Sequence, residues 1–190
     1  NIGGCFWGHP AHGYFSPYQM ETLTDGPEGE YLTQRLGNEA VRLIRERDKT
    51  KPFFLNFWHY AVHAPMQAPA DLVAYFEEKS RKMGLDKLDP FEVGEHFPIE
   101  AKKDQRVVRR TIQSDPVYAA MIYSMDQTVG QLVETRRQEG LEEDSIVIVT
   151  SDNGGLATAE GSPTCNYPLS EGKGWMYEGA VREPLAVVWP

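Results

Sequence analysis

The chain has 190 residues, 41% of them hydrophobic and 25% charged, with a formal net charge of -9. That length suits one domain or part of a larger one. The acidic balance argues against nucleic acid or an anionic membrane as partner, because both call for a basic patch. No apolar run reaches the roughly 18 residues of a membrane span, and Asn1 opens no signal-like segment. The lack of an initiator Met and the ending at Trp189-Pro190 lead us to expect that both ends are cut, with room for a leader upstream. Cys5 and Cys165 form no CxxC pattern and define no redox compartment.

Residues 1–29 are rich in Gly, Pro and aromatics and read as irregular loop. From Glu30 to Asp48, Leu32, Leu36, Ala40, Leu43 and Ile44 recur at helical spacing, ended by Lys51-Pro52. Phe53–Trp58 is a nearly continuous apolar run, the pattern of a strand buried on both faces. A loop over His59–Pro69 leads to a second helix, about Ala70 to Met83. Residues 84–115 are charged and irregular and read as a surface excursion. Pro116 suits the start of a third helix, striped by Tyr118, Ile122, Met125, Val129, Leu132 and Val133 and stopped at Gly140. Ile146–Thr150 and Leu185–Trp189 read as buried strands. This rhythm predicts an α/β fold with a sheet covered by helices, and ligands gather beyond strand carboxyl ends in such sheets.

Two strand-following loops carry the polar residues of interest. In Ser151-Asp152-Asn153-Gly154-Gly155, one carboxylate and one amide carbonyl suit a hard cation such as Ca²⁺ or Mg²⁺, and the glycines permit a tight turn. Local composition alone favours a plain turn here. Lys173, between Gly172 and Gly174, can reach an anion as a compact charge, although the segment is no Walker A loop. His63, in His-Ala-Pro, could act as a general acid or bind an oxyanion. His59 lies four residues earlier, but Pro65 argues against a zinc-binding helix, so His59 reads as a packed or solvent-facing imidazole. The same holds for His9, His12 and His96. Arg182 and Glu178 read as a structural ion pair.

Taken in order, these segments resemble the sulfatase family of the alkaline-phosphatase-like superfamily. The matching stretches are Lys51–Phe57, His63–Pro69, Met121–Asp126, Ile146–Gly155 and Pro168–Pro184. The resemblance implies a mixed, largely parallel sheet sandwiched by helices, of which residues 1–190 are the central part of one catalytic domain. It implies a sulfuric ester hydrolase with one Ca²⁺ and a formylglycine made from Cys or Ser, whose hydrated aldehyde attacks sulfur. By position, Asp152 and Asn153 take the place of the second pair of calcium ligands. Lys173 stands for the lysine that contacts sulfate, and His63 for the histidine beside the leaving oxygen. The implied substrate is a sulfated small molecule or glycan, and the implied compartment is periplasmic, extracellular or lysosomal.

Departures narrow the expectation. The nucleophile motif, Cys or Ser, any residue, Pro, Ser or Ala, then Arg, is absent, and Ser114-Asp115-Pro116 matches only its start. Neither Cys5 nor Cys165 fits it, and the early Asp-Asp calcium pair is missing. Ala180 stands where a second glycine is common. The formylglycine is therefore expected upstream, and the isolated chain is expected to be inactive. One alternative is a phosphatase or phosphodiesterase of the same superfamily, which usually has Asp-His-Gly where this chain has Asp152-Asn153-Gly154. Another is a non-catalytic relative that binds sulfated glycans.

Overall fold

The computed structural model describes residues 13–159 and 161–190. Its elements are α1 (Leu32–Glu46), α2 (Ala70–Met83), β1 (Phe91–His96), β2 (Arg106–Arg110), α3 (Pro116–Gln138), β3 (Val147–Thr150), α4 (Glu178–Val181) and β4 (Leu185–Val188). Cys5, His9 and His12 lie outside the described residues. The chain divides into two compact units. One takes in the described residues up to Phe76 with Val117–Ser145; the other takes Glu77–Pro116 with Ile146–Pro190.

In the first unit, α1 buries Leu32, Leu36, Ala40 and Ile44, one residue per turn of a 3.6-residue period. Its outer face carries Arg35–Glu39 at 3.1 Å and Arg42–Glu46 at 2.5 Å, spaced to meet across one turn. Burying leucines such as Leu32 and Leu36 stabilises the unit by roughly 1.5–3 kcal/mol each. They join Tyr14, Tyr18, Met20, Leu23, Tyr31 and Met121 in one core, and Phe57, Tyr60, Ala61, Val62 and Met66 pack against it. The core thereby holds the loop that carries His63.

The buried face of α3 differs from the apolar stripe expected from sequence. It consists of Tyr118, Ala120, Met121, Ser124, Thr128 and Thr135, whereas Ile122 and Val133 are exposed. Close helix approach explains the choice of small residues: a Cβ on Gly37 of α1 would lie 2.7 Å from Thr128 Cγ2. The buried hydroxyls remain satisfied because Ser124, Thr128 and Thr135 donate to the carbonyls of Ala120, Met125 and Gln131. Gly140, at φ +65°, follows the helix in the left-handed region, as a C-terminal glycine does.

Residues 53–58 form no strand. Phe54 is 90% and Trp58 79% exposed, and no strand among the described residues bonds to this run. In the second unit, residues 84–115 are not irregular but hold β1 and β2, an antiparallel pair with Glu92 opposite Arg109 and Val93 opposite Val108. The ladder shifts register between Val93 and His96. β3 and β4 form a second antiparallel pair, Val147 opposite Val188 and Thr150 opposite Leu185. The described strands are thus paired as two small antiparallel sheets in a mixed α/β structure, with no parallel pair among them. The connection from β3 through α4 returns the chain in the opposite direction, which sets the pairing of β3 with β4. No helix among the described residues is long and apolar enough to cross a membrane.

Candidate functional site

Asp152, Asn153 and Lys173 all belong to the second unit, on loops that backbone contacts lock together. Lys173 N–H donates to Gly155 O at 3.2 Å, Gly154 N–H to Ala180 O at 3.1 Å, and Gly179 N–H to Ser170 O at 2.8 Å. The glycines make this interlock possible. A Cβ on Gly154 would stand 1.7 Å from Gly179 O, and one on Gly172 would stand 2.1 Å from Gly155 O. Asn166 staples the same loops, its Nδ2 donating to Gly155 O and Glu171 O at 2.8 Å each.

Within this frame Ser151 Oγ donates to Asn153 O at 2.8 Å, and Asn153 Nδ2 donates to Gly154 O at 3.0 Å. Asn153 Oδ1 and the exposed Asp152 carboxylate accept no hydrogen bond and form no salt bridge among the described residues. These oxygens fit part of a hard-cation site, since Ca²⁺ takes six to eight oxygen ligands and two residues supply only a share. No group of three or more His, Cys, Asp or Glu suited to a metal occurs among the described residues. The half-buried Lys173 forms no side-chain hydrogen bond or salt bridge among them either. It remains a cation available to an anionic ligand.

His63 belongs to the first unit. Its N–H donates to Tyr60 O at 2.9 Å, and its own carbonyl lies 2.8 Å from the buried Tyr14 hydroxyl. Its Nδ1 lies 2.9 Å from Ala64 O. A carbonyl only accepts, so Nδ1 donates to it.

His59 is structural. Burial lowers its pKa to about 4, and its ring packs 4.3 Å from that of Phe57. Thr128 Oγ1 gives its proton to Met125 O, so it accepts from His59 Nε2 at 3.2 Å, which fixes a neutral ring with Nε2 protonated. His96 is exposed and lies against Lys103 O. Arg182 and Glu178 do pair, at 3.5 Å, but both are more than 60% exposed, and such a pair contributes little.

Ser114 and Asp115, the fragment of a nucleophile-like motif, serve the buried Arg110 instead. Arg110 Nη1 donates to Ser114 Oγ at 2.8 Å, Nη2 lies 3.7 Å from Asp115, and the guanidinium sits 4.8 Å over the Phe91 ring. Cys165 is in no disulfide. Its N–H donates to Gln113 Oε1 at 2.7 Å.

The strongest contact that no motif announces joins Arg109 Nη2 to Glu171 at 2.6 Å. The Glu171 side chain is 9% exposed, and its backbone, at φ +58°, occupies the left-handed region. Burial opposes the Arg109 charge. The hydrogen bond and charge of Glu171, then those of Glu95, more than offset it and raise its pKa. The two residues are 62 apart in sequence, so only the antiparallel pairing of β1 with β2 beside the Glu171 loop could reveal the pair.

Compared with known proteins, residues 6–190 match the family model for sulfatase. The chain belongs to the sulfatase family. It is 33% identical over 170 residues to a sulfatase of Formosa agariphila, a match covering 85% of this chain and 25% of that protein. It is 31% identical over 158 residues to mouse arylsulfatase J, covering 83% and 21% respectively. The chain thus spans no more than a quarter of either relative. Among solved structures it is similar to Ps i-CgsB in complex with k-i-k-neocarrahexaose, with a TM-score of 0.61 and 28% identity over 88% of this chain and 30% of that one.

Proposed function

We propose that this chain forms part of a sulfuric ester hydrolase that removes sulfate from a sulfated glycan or aryl sulfate. The observation that supports the reading is the glycine-locked cluster of loops that carries Asp152, Asn153 and Lys173. Asp152 and Asn153 would hold part of a calcium site; when bound, Ca²⁺ would offset charge on the sulfate oxygens. Lys173 binds a sulfate oxygen as a compact cation and stabilises charge that grows as the ester bond breaks. By the family resemblance alone, His63 takes the role of the histidine beside the leaving oxygen and assists its departure. No residue among these 190 has the motif of a formylglycine precursor, so the nucleophile lies elsewhere in the whole protein on this reading. The family resemblance extends the proposal to a periplasmic, extracellular or lysosomal setting.

The test compares p-nitrophenyl sulfate with p-nitrophenyl phosphate on the full-length enzyme, with and without calcium chelation. Sulfate turnover that falls on chelation is expected. Preference for the phosphate ester would replace this reading with a phosphatase, and absence of both activities would favour a non-catalytic binder. The isolated 190-residue chain is expected to turn over neither ester.

A further inference from the structure

Glu171 stands two residues before Lys173, with only a glycine between them. An acidic group so near a lysine competes with an external anion for the ammonium. The carboxylate is turned toward β2 instead. Its Oε1 accepts from Arg109 Nη2 at 2.6 Å, the two side chains being 9% and 19% exposed, and no salt bridge joins it to Lys173. Glu171 Oε2 is buried with no hydrogen-bond partner among the described residues, so Arg109 is the group that holds this carboxylate. Arg109 is itself set by the first sheet. It lies on β2 opposite Glu92 of β1, and a Cβ on Gly94 would collide with its guanidinium. The absent side chain at Gly94 gives the guanidinium room to lie across β1, where the exposed Glu92 and Glu95 flank it at 3.7 and 3.1 Å.

The backbone of the same turn is held from its other side. Glu171 O accepts from Asn166 Nδ2 at 2.8 Å, and a Cβ on Gly179 would overlap that oxygen. Lys173 N–H donates to Gly155 O at 3.2 Å, and Trp175 N–H to Gly172 O at 3.1 Å. Glu171 nevertheless has a φ of +58°, a left-handed conformation that side chains of L-residues disfavour. A glycine at this position would avoid that cost. What a glutamate adds here is the contact with Arg109.

We propose that Arg109 is a positioning residue for Lys173: by holding the Glu171 carboxylate, it fixes the turn from which Lys173 projects and keeps that carboxylate away from the ammonium. The role rests on the sulfatase reading above, in which Lys173 meets a sulfate oxygen. Arg109 touches no substrate and acts only through Lys173.

A kinetic cycle in the full-length enzyme tests this role, with p-nitrophenyl sulfate as substrate. The variants are Arg109→Ala, Lys173→Ala and the two combined, each assayed well below its melting temperature. Arg109→Ala alone should lower kcat/KM about tenfold to a hundredfold, the scale on which a displaced group loses effect. In the Lys173→Ala background the same change should cost less than about twofold, because residues that act as one unit are not additive. Adding Glu171→Gln to Arg109→Ala removes the unpaired carboxylate and should recover about threefold or more. Equal losses from Arg109→Ala in both backgrounds would mark a general support of the fold and overturn the proposal. Unchanged kcat/KM in Arg109→Ala, or no recovery with Glu171→Gln, would overturn it too. Should Arg109→Ala fail to fold, Arg109→Gln, which keeps a donor without the charge, runs the same cycle with the same opposed outcomes. Absence of hydrolysis by the unmodified enzyme would sink the sulfatase reading and this role with it, whereas hydrolysis with additive losses would sink the role of Arg109 alone.

Discussion

Lys173 owes its place to backbone: its N–H on Gly155 O and the glycines on either side set where the side chain begins. Lys173→Ala in the full-length enzyme should lower kcat by roughly 10²–10³-fold, the range seen when one preorganised charge-stabilising donor is removed. A fall in affinity with kcat intact would instead assign Lys173 to binding alone. Arg109 and Glu171 make a different prediction. Arg109→Ala strands a mostly buried carboxylate and should destabilise the second unit by about 2 kcal/mol, while Glu171→Gln keeps a hydrogen bond and should cost less. Urea unfolding of both variants compares them; equal losses would remove the argument for a charge pair. His59 links stability to pH. Its folded pKa of about 4 lies below its ordinary 6.5, so the unfolded chain binds more protons between these values. The stability it contributes is complete above about pH 6.5 and is lost as pH falls toward 4, by about 3 kcal/mol. His59→Gln, which keeps an N–H for Thr128, should flatten that part of a melting-temperature profile. Asp152, Asn153, Lys173 and His63 were legible as candidates because each sits in a contiguous motif. Arg109 and Glu171 were not, because a 62-residue separation leaves no local pattern to read.

Elements with strong local signals were readable from sequence. α2 runs over Ala70–Met83 as expected, and Pro116 and Gly140 bound α3. Residues 53–58 show the limit of composition: apolar residues alone do not make a strand without a neighbour to bond to. The β1–β2 pair was hidden for the opposite reason. Its strands are stabilised by cross-strand charges such as Glu92 with Arg109, so they lack the apolar alternation that marks a half-buried strand. The loop cluster depends on a feature that sequence shows only as glycine content. Gly172→Ala would place a methyl 2.1 Å from Gly155 O, where backbone cannot yield cheaply. A loss of about 1–3 kcal/mol is expected by urea unfolding. Gly29→Ala provides the contrast: it meets nothing within 4 Å, and its cost should come only from its φ of +80°.

At the scale of the molecule, the outward faces of β3 and β4 are the conspicuous feature. Ile148, Leu185, Val187, Val188 and Trp189 are each about half exposed or more. A large apolar surface on a short, open sheet favours association. The isolated 190-residue chain should therefore self-associate with rising concentration in sedimentation velocity, and Ile148→Lys should reduce it; a monomer at all concentrations would contradict this. The division into two units has a further consequence, for the order in which the chain is made. The residues of the first unit within these 190 have all been synthesised by Ser145. Residues 77–116, although older, must wait for Ile146–Pro190 to emerge before their own unit can close. On the ribosome, the Asp152 and Lys173 loops would then take shape after the first unit, leaving β1, β2 and Arg110 exposed to chaperones in the meantime.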